Sequence, residues 1–174
     1  SDAAEVARPI FEEFGGKPAS RKNSPHVTVH KVSENTKQQV SLEDYVLQVV
    51  STEASVADEP EAIKALAIAA RTYALKNIGR HREQGFDFCS TTHCQRFEIS
   101  EIRPAVRAAV DATAGIVLRD AQGQIADSYF GASCGGMTAN IKTLWGSNAP
   151  EYLQGVRDDF CHSEPHGNWT DTIE

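Results

Sequence analysis

Two groupings of side chains in this sequence are able to do chemistry. The first is Cys89-Ser-Thr-Thr-His93-Cys94, two thiols and an imidazole within six residues. Thiolate sulfur and imidazole nitrogen are the donors zinc selects, and a closed structural zinc site takes four of them. The segment supplies three, which leaves the fourth to His81, Cys161, His162, His166 or water. The same two thiols, Cys89 and Cys94, would alternatively close a short disulfide loop in an oxidising compartment. Spacing leaves both readings open. The second grouping centres on Glu53, which lies on the same helical stripe as Val46, Val49 and Val50, so that periodicity turns a carboxylate toward the core. An ionised carboxylate taken out of water has to be paired, hydrogen-bonded, set at the rim of a cleft or protonated. The last two are catalytic postures, because such a group can lend a proton to a leaving oxygen and take one back. The plainer alternative is an ion pair with Arg71, on the inner side of the following helix.

The elements that must position these groups follow from pattern and punctuation. His26-Val-Thr-Val-His-Lys-Val alternates, meets the polar tract Ser33 to Lys37 and continues into Gln38 to Val40, which predicts a hairpin. Ser41, with Asp44 three residues on, predicts a helix start. Leu42, Tyr45, Val46, Val49 and Val50 form the apolar stripe of that helix. A second helix is expected from a cap at Asp58, with Pro60 in its first turn, to about Gly79; its middle is crowded with alanine, which favours helix and close packing. The spacing predicts a non-periodic loop over 83–98, a third helix over 102–114 ended by Gly115, and a hairpin whose arms, 115–120 and 124–130, flank a turn at Ala121-Gln-Gly. Strands, then helices, then strands, without regular alternation, predict an α+β domain with central helices packed on short antiparallel strands and long loops. Residues 1–24 read as a partly ordered leader and 25–174 as the domain.

Composition narrows the function. The 174 residues carry 24 acidic and 17 basic side chains, a net charge of −7, which excludes a nucleic-acid backbone as main partner because phosphate binding needs clustered Lys and Arg. No apolar run is long enough for a transmembrane segment. The N-terminus lacks a secretory signal, but a cleaved signal leaves no trace.

Several motifs then resemble one family. Leu42-Glu-Asp-Tyr-Val, Val49-Val-Ser-Thr-Glu-Ala and Glu61-Ala-Ile-Lys-Ala-Leu-Ala-Ile-Ala-Ala-Arg-Thr-Tyr-Ala are similar to the signature of the stage II sporulation protein D and amidase-enhancer family. Cys89-Ser-Thr-Thr-His-Cys-Gln resembles its Cys-Asp-Thr-Thr-His-Cys-Gln loop, with Ser90 in place of Asp. Val110-Asp-Ala-Thr-Ala-Gly-Ile-Val-Leu, Ser133-Cys-Gly-Gly-Met-Thr, Leu144-Trp-Gly and Tyr152-Leu-Gln-Gly-Val-Arg-Asp follow in order, so that the resemblance spans about residues 27–171. It implies an exported lytic transglycosylase of peptidoglycan glycan strands, preferring strands stripped of stem peptides, with Glu53 at the family's catalytic position. Non-catalytic enhancement of a partner cell-wall amidase and a muramidase-type hydrolysis are the alternatives. One carboxyl group suffices for a transglycosylase, because the sugar's own C6 hydroxyl replaces the water that a second carboxylate would recruit. The resemblance also implies a structural zinc at the Cys89, His93, Cys94 loop, while the chemistry itself needs no cofactor. On the same basis Arg71 and Tyr73 are candidates to orient Glu53 or hold sugar hydroxyls, against the alternative of a buried Arg and a core Tyr. Ser133, Gly135 and Gly136 are candidates for a backbone turn at the ligand, and Tyr129 and Trp145 for stacking on a sugar ring. A Cys134–Cys161 disulfide is expected to tie that turn to the Arg157–Cys161 segment.

Overall fold

In the computed structural model, which describes residues 24–131, 134–146 and 150–159, alternating residues build the opening hairpin. Strand β1 (His26–Lys31) buries Val27 and Val29 and pairs antiparallel with β2 (Thr36–Ser41), His26 opposite Ser41 and Lys31 opposite Thr36. Asn35 makes the turn at φ 51°, a left-handed conformation that Asn tolerates better than most side chains. Ser41 ends β2 and starts helix α1 (Leu42–Glu53) in one residue: its backbone is extended, and its Oγ accepts from the Asp44 amide at 3.1 Å.

Helix α2 (Pro60–Asn77) begins with proline at its first position, where the missing N–H has no helical partner to lose. The expected cap, Asp58, does something else. Its Oδ2 accepts from Ser55 N at 2.7 Å and folds the α1–α2 connection, while Glu59 stands at the cap without a side-chain bond. The helix ends at Asn77, two residues before Gly79, whose φ of 82° only glycine adopts freely. Helix α3 (Pro104–Ala112) is shorter than the expected 102–114 because Pro104 takes the first helical position and holds Arg103 extended before it.

The expected hairpin over 115–130 is reduced to its turn. Asp120 Oδ1 accepts from the amides of Gln122 and Gln124, Gly123 turns at φ 76°, and a single Arg119–Ile125 bridge forms. The ladder stops there because α2 takes its next donor: Leu118 N donates to Thr72 Oγ1 at 3.0 Å, while Lys76 Nζ donates at 2.8 Å to Ile125 O, which faces away from the ladder. A third strand, β3 (Phe88–Cys89), falls in the segment expected to be loop, and it runs parallel to β1, giving the sheet order β2-β1-β3. The architecture is α+β.

The chain divides into two compact units, Ser1–Phe130 and Gly131–Glu174. The core of the first collects Val27 and Val29 of β1, Tyr45, Val46, Val49 and Val50 of α1, Ala67, Ala70 and Ala74 of α2, and Val106 and Val110 of α3. Alanines on the inner face of α2 keep its side-chain layer thin, which lets the other helices approach. Tyr45 stacks between Phe88 and Phe97, at ring separations of 5.0 and 5.5 Å. In the second unit, α4 (Ile141–Trp145) is capped by Asn140, whose side chain accepts from Lys142 N at 2.9 Å. Thr138 and Val156 bond each other through Thr138 N to Val156 O and Val156 N to Thr138 Oγ1, both 2.9 Å. A Cβ at Gly155 would lie 2.6 Å from Thr138 O, so this ladder has room only for glycine there. No helix among the described residues is long and apolar enough to cross a membrane.

Candidate functional site

Helix α1 carries two glutamates, and the one expected to face the core does not. Glu43, in its first turn, is buried at 3% exposure, whereas Glu53, in its last, is exposed. The apolar stripe ends at Val50. At Ala54 the backbone leaves the helix for an extended conformation, and the turn carrying Glu53 emerges beyond the core.

Arg71 belongs to Glu43, not to Glu53. It is fully buried, and its Nε and Nη2 donate to the two Glu43 carboxylate oxygens, both at 2.8 Å. Its Nη1 donates to Ala67 O at 3.3 Å and Ile116 O at 3.2 Å, and Glu43 Oε1 also accepts from Gly115 N at 3.2 Å. The pair therefore clamps α1, α2 and the 115–116 segment together, and Arg71 is a fully buried arginine that satisfies Glu43 and two carbonyls. Tyr73 is likewise nearly buried; its hydroxyl accepts from Arg80 Nη1 at 3.1 Å, and burial raises it above the ordinary tyrosine value. Its ring meets Tyr129 edge-on at 6.5 Å, and Tyr129 is half exposed.

The backbone that leaves Glu53 is held from α3. Arg103, just before that helix, donates through Nη2 to Ala54 O at 2.6 Å and through Nη1 to Ser55 O at 2.7 Å, satisfying carbonyls at the exit of α1. The Glu53 side chain is exposed and makes no hydrogen bond or ion pair to a described residue, so only the backbone beside it is fixed.

A second locus forms beyond the C-terminal end of α2. Here His81, Cys89, His93 and Cys94 bring one donor atom each to within 4.8 Å of one another. His81 Nε2 lies 3.3 Å from Cys94 Sγ, and His93 Nδ1 lies 3.7 Å from Cys89 Sγ and 3.8 Å from Cys94 Sγ. A tetrahedral zinc with ordinary Zn–S and Zn–N bonds sets its ligand atoms roughly 3.3 to 3.8 Å apart, so the residues present fit that ion. Cys89 and Cys94 are separate thiols, not the alternative disulfide. Of the five sources open to the sequence, His81 is the one that lies beside the other three donors among the described residues; Cys161, His162 and His166 lie outside the described residues.

Each donor is placed by a local device. Parallel pairing of β3 with β1 sets Cys89 opposite His30. A turn closed by Cys94 N to Thr91 O at 3.0 Å then returns Cys94 toward it. Ser90, which differs from the resembled pattern, points elsewhere: its Oγ accepts from Val32 N at 3.1 Å, which an Asp carboxylate could do equally well. Burial opposes the Cys89 thiolate, but hydrogen bonds from Thr91, His93 and Cys94 outweigh it and bring this thiol down to about 6. Burial carries Cys94 the other way, up to about 11.

In the second unit Gly135 and Gly136 occupy positive φ, 64° and 95°, which makes the expected turn. Trp145 is more than half exposed on α4. Cys134 Sγ donates to Asp158 Oδ2 at 3.4 Å. Ser133 and Cys161, and with Cys161 the expected disulfide, lie outside the described residues.

A family model described as SpoIID, stage II sporulation protein, matches residues 30–119, from β1 through the turn after α3. An uncharacterized protein of Brachyspira hyodysenteriae is 34% identical over 137 residues, covering 78% of this chain and 36% of that protein. Stage II sporulation protein D of Bacillus amyloliquefaciens is 28% identical over 179 residues, covering 92% of this chain and 51% of the relative. Its counterpart in Bacillus subtilis is 27% identical over 179 residues, covering 90% and 52%. The chain thus spans about half the length of the two sporulation proteins and about a third of the Brachyspira protein.

Proposed function

We propose that this chain, which belongs to the SpoIID family of stage II sporulation proteins, cuts the glycan strands of peptidoglycan as a lytic transglycosylase, with Glu53 as its only acid and base. Membership supports a role at the cell wall; the reaction and the residue are our reading. One observation carries it. Glu43, the other carboxylate on α1, is consumed by Arg71, while Glu53 stands exposed and unpaired among the described residues, on a helix end fixed through Arg103.

In this reading the Glu53 carboxylic acid gives its proton to the oxygen bridging MurNAc to GlcNAc. As that bond breaks, the resulting carboxylate takes the proton of the sugar's C6 hydroxyl, whose oxygen closes on the anomeric carbon. The products are a GlcNAc hydroxyl and a 1,6-anhydro MurNAc end, and Glu53 is protonated again. No water enters. Attack from within the same sugar carries an effective molarity that makes a second carboxylate unnecessary. Because Glu53 is exposed in the free protein, the bound saccharide must itself exclude water from the carboxyl group. Tyr129 offers an exposed ring face for a sugar, as does Trp145 in the second unit.

A zinc ion held by His81, Cys89, His93 and Cys94 would supply cross-linking, not reaction chemistry, because four protein ligands leave no open coordination position. Its donors join the segment after α2 to the end of β3.

Digestion of denuded glycan, followed by mass spectrometry, tests the proposal. Anhydro ends that disappear in Glu53→Gln are expected. Reducing ends would mean that water is the nucleophile, and no products would mean a non-catalytic role beside an amidase.

A further inference from the structure

The fourth donor, His81, differs from the other three in standing outside the Cys89–Cys94 turn, which it meets at Cys94 Sγ, 3.3 Å from Nε2, and at the His93 ring, centroids 5.2 Å apart. Two contacts from outside that turn set its ring. Its face stacks on Phe86, centroids 4.8 Å apart, and its Nδ1 lies 2.7 Å from Gln84 Oε1. An imidazole that gives a lone pair to a metal through Nε2 must carry its proton on Nδ1, and an oxygen at hydrogen-bond distance from Nδ1 selects that tautomer.

Gln84 is in turn held by its own backbone. It ends a single 3-10 turn (Arg82–Gln84), with its N–H donating to His81 O at 2.9 Å. Its carbonyl accepts from Lys37 Nζ at 2.9 Å, and the same ammonium sits over the Phe86 ring at 5.5 Å. Gly85 follows at φ 77°, and a Cβ there would come within 3.1 Å of Lys37 Nζ. Strand β2 thus reaches across to fix the residue that fixes His81.

We propose that Gln84 is a positioning residue for the metal centre, holding His81 in the Nδ1–H tautomer so that Nε2 faces Cys94 Sγ. The assignment rests on the four-ligand reading above. Gln84 touches no metal. It accepts the Nδ1 proton, restricts ring rotation and makes Nε2 the more basic nitrogen. Its side chain is exposed, so replacing it leaves the core intact.

The test uses the whole chain and zinc alone, in competition with a chromogenic chelator. Gln84→Leu, similar in volume but without an acceptor, should weaken zinc binding by about 10- to 100-fold. Gln84→Glu restores an acceptor and should recover wild-type affinity or exceed it. In zinc-loaded wild type, long-range proton–nitrogen correlation should place the His81 proton on Nδ1 and the metal on Nε2; in Gln84→Leu the Nδ1 proton should exchange faster. Equal affinity of wild type and Gln84→Leu, or a failure of Gln84→Glu to recover binding, overturns the role of Gln84 while leaving the metal site standing. A wild-type chain that takes up no zinc overturns the four-ligand reading and this assignment together.

Discussion

Removing Arg71 should cost this protein a large part of its stability, and the structure indicates how large. In Arg71→Met the volume is kept but four hydrogen bonds disappear: two to Glu43 and one each to the carbonyls of Ala67 and Ile116. The Glu43 carboxylate, 3% exposed, retains only the Gly115 amide. Breaking one side of a buried pair typically costs about 3–5 kcal/mol, because the remaining charge has lost both water and partner. For a chain of this length that corresponds to a drop in Tm of about 6–20 °C. The opposite change, Glu43→Leu, should be worse, since a guanidinium cannot shed its proton to escape. The double variant Glu43→Leu, Arg71→Met removes both charges and should recover most of the loss. Urea titrations of the three variants, followed by far-UV circular dichroism at one fixed zinc concentration, give the comparison. A single-variant cost below about 1 kcal/mol, or a double variant as unstable as the worse single, would refute the argument that this pair is a buried clamp.

Three further outcomes are expected. Metal analysis should find one zinc per chain, and stripping it with a chelator should lower Tm; zinc at a hundredfold excess over its Kd contributes about 2.7 kcal/mol. In the metal-free chain the folded Cys89, brought down to about 6 against burial by the Thr91, His93 and Cys94 hydrogen bonds, binds fewer protons than the unfolded thiol between that pH and about 9. Stability from this group is therefore present at alkaline pH and lost as pH falls through about 6, a slope in urea midpoints that Cys89→Ser should flatten. Glu53→Gln, altering an exposed helix end, should leave the urea midpoint within about 0.5 kcal/mol of wild type while abolishing anhydro products.

What could be read in advance was local. The alternation of Val27 and Val29, the Ser41 cap and the prolines opening α2 and α3 all act within a few residues, and the first hairpin and the helices formed where such signals stand. The Cys89, His93, Cys94 spacing likewise placed three possible donors close together. What the sequence leaves illegible depends on distance along the chain. Glu43 is buried because Arg71, 28 residues later, meets it, and nothing around Glu43 signals that partner. Glu53 fits the stripe but lies a turn past the last residue the core covers. His81 could be named only as one of several donors. Strand β3, two residues long, is too short for any periodicity to register.

That short strand has a consequence for the order of events. Its pairing reaches far back along the chain: Thr28 N donates to Asp87 Oδ2 at 2.7 Å across 59 residues. Two residues of parallel ladder contribute little by themselves, and closing so long a loop is entropically unfavourable until the intervening helices have collapsed. The sulfur and nitrogen donors are accordingly expected to assemble late in folding, on a framework already built by α1 and α2. An ion arriving there would find its cradle finished and would act as a lock on the completed molecule, not as the seed from which it grows.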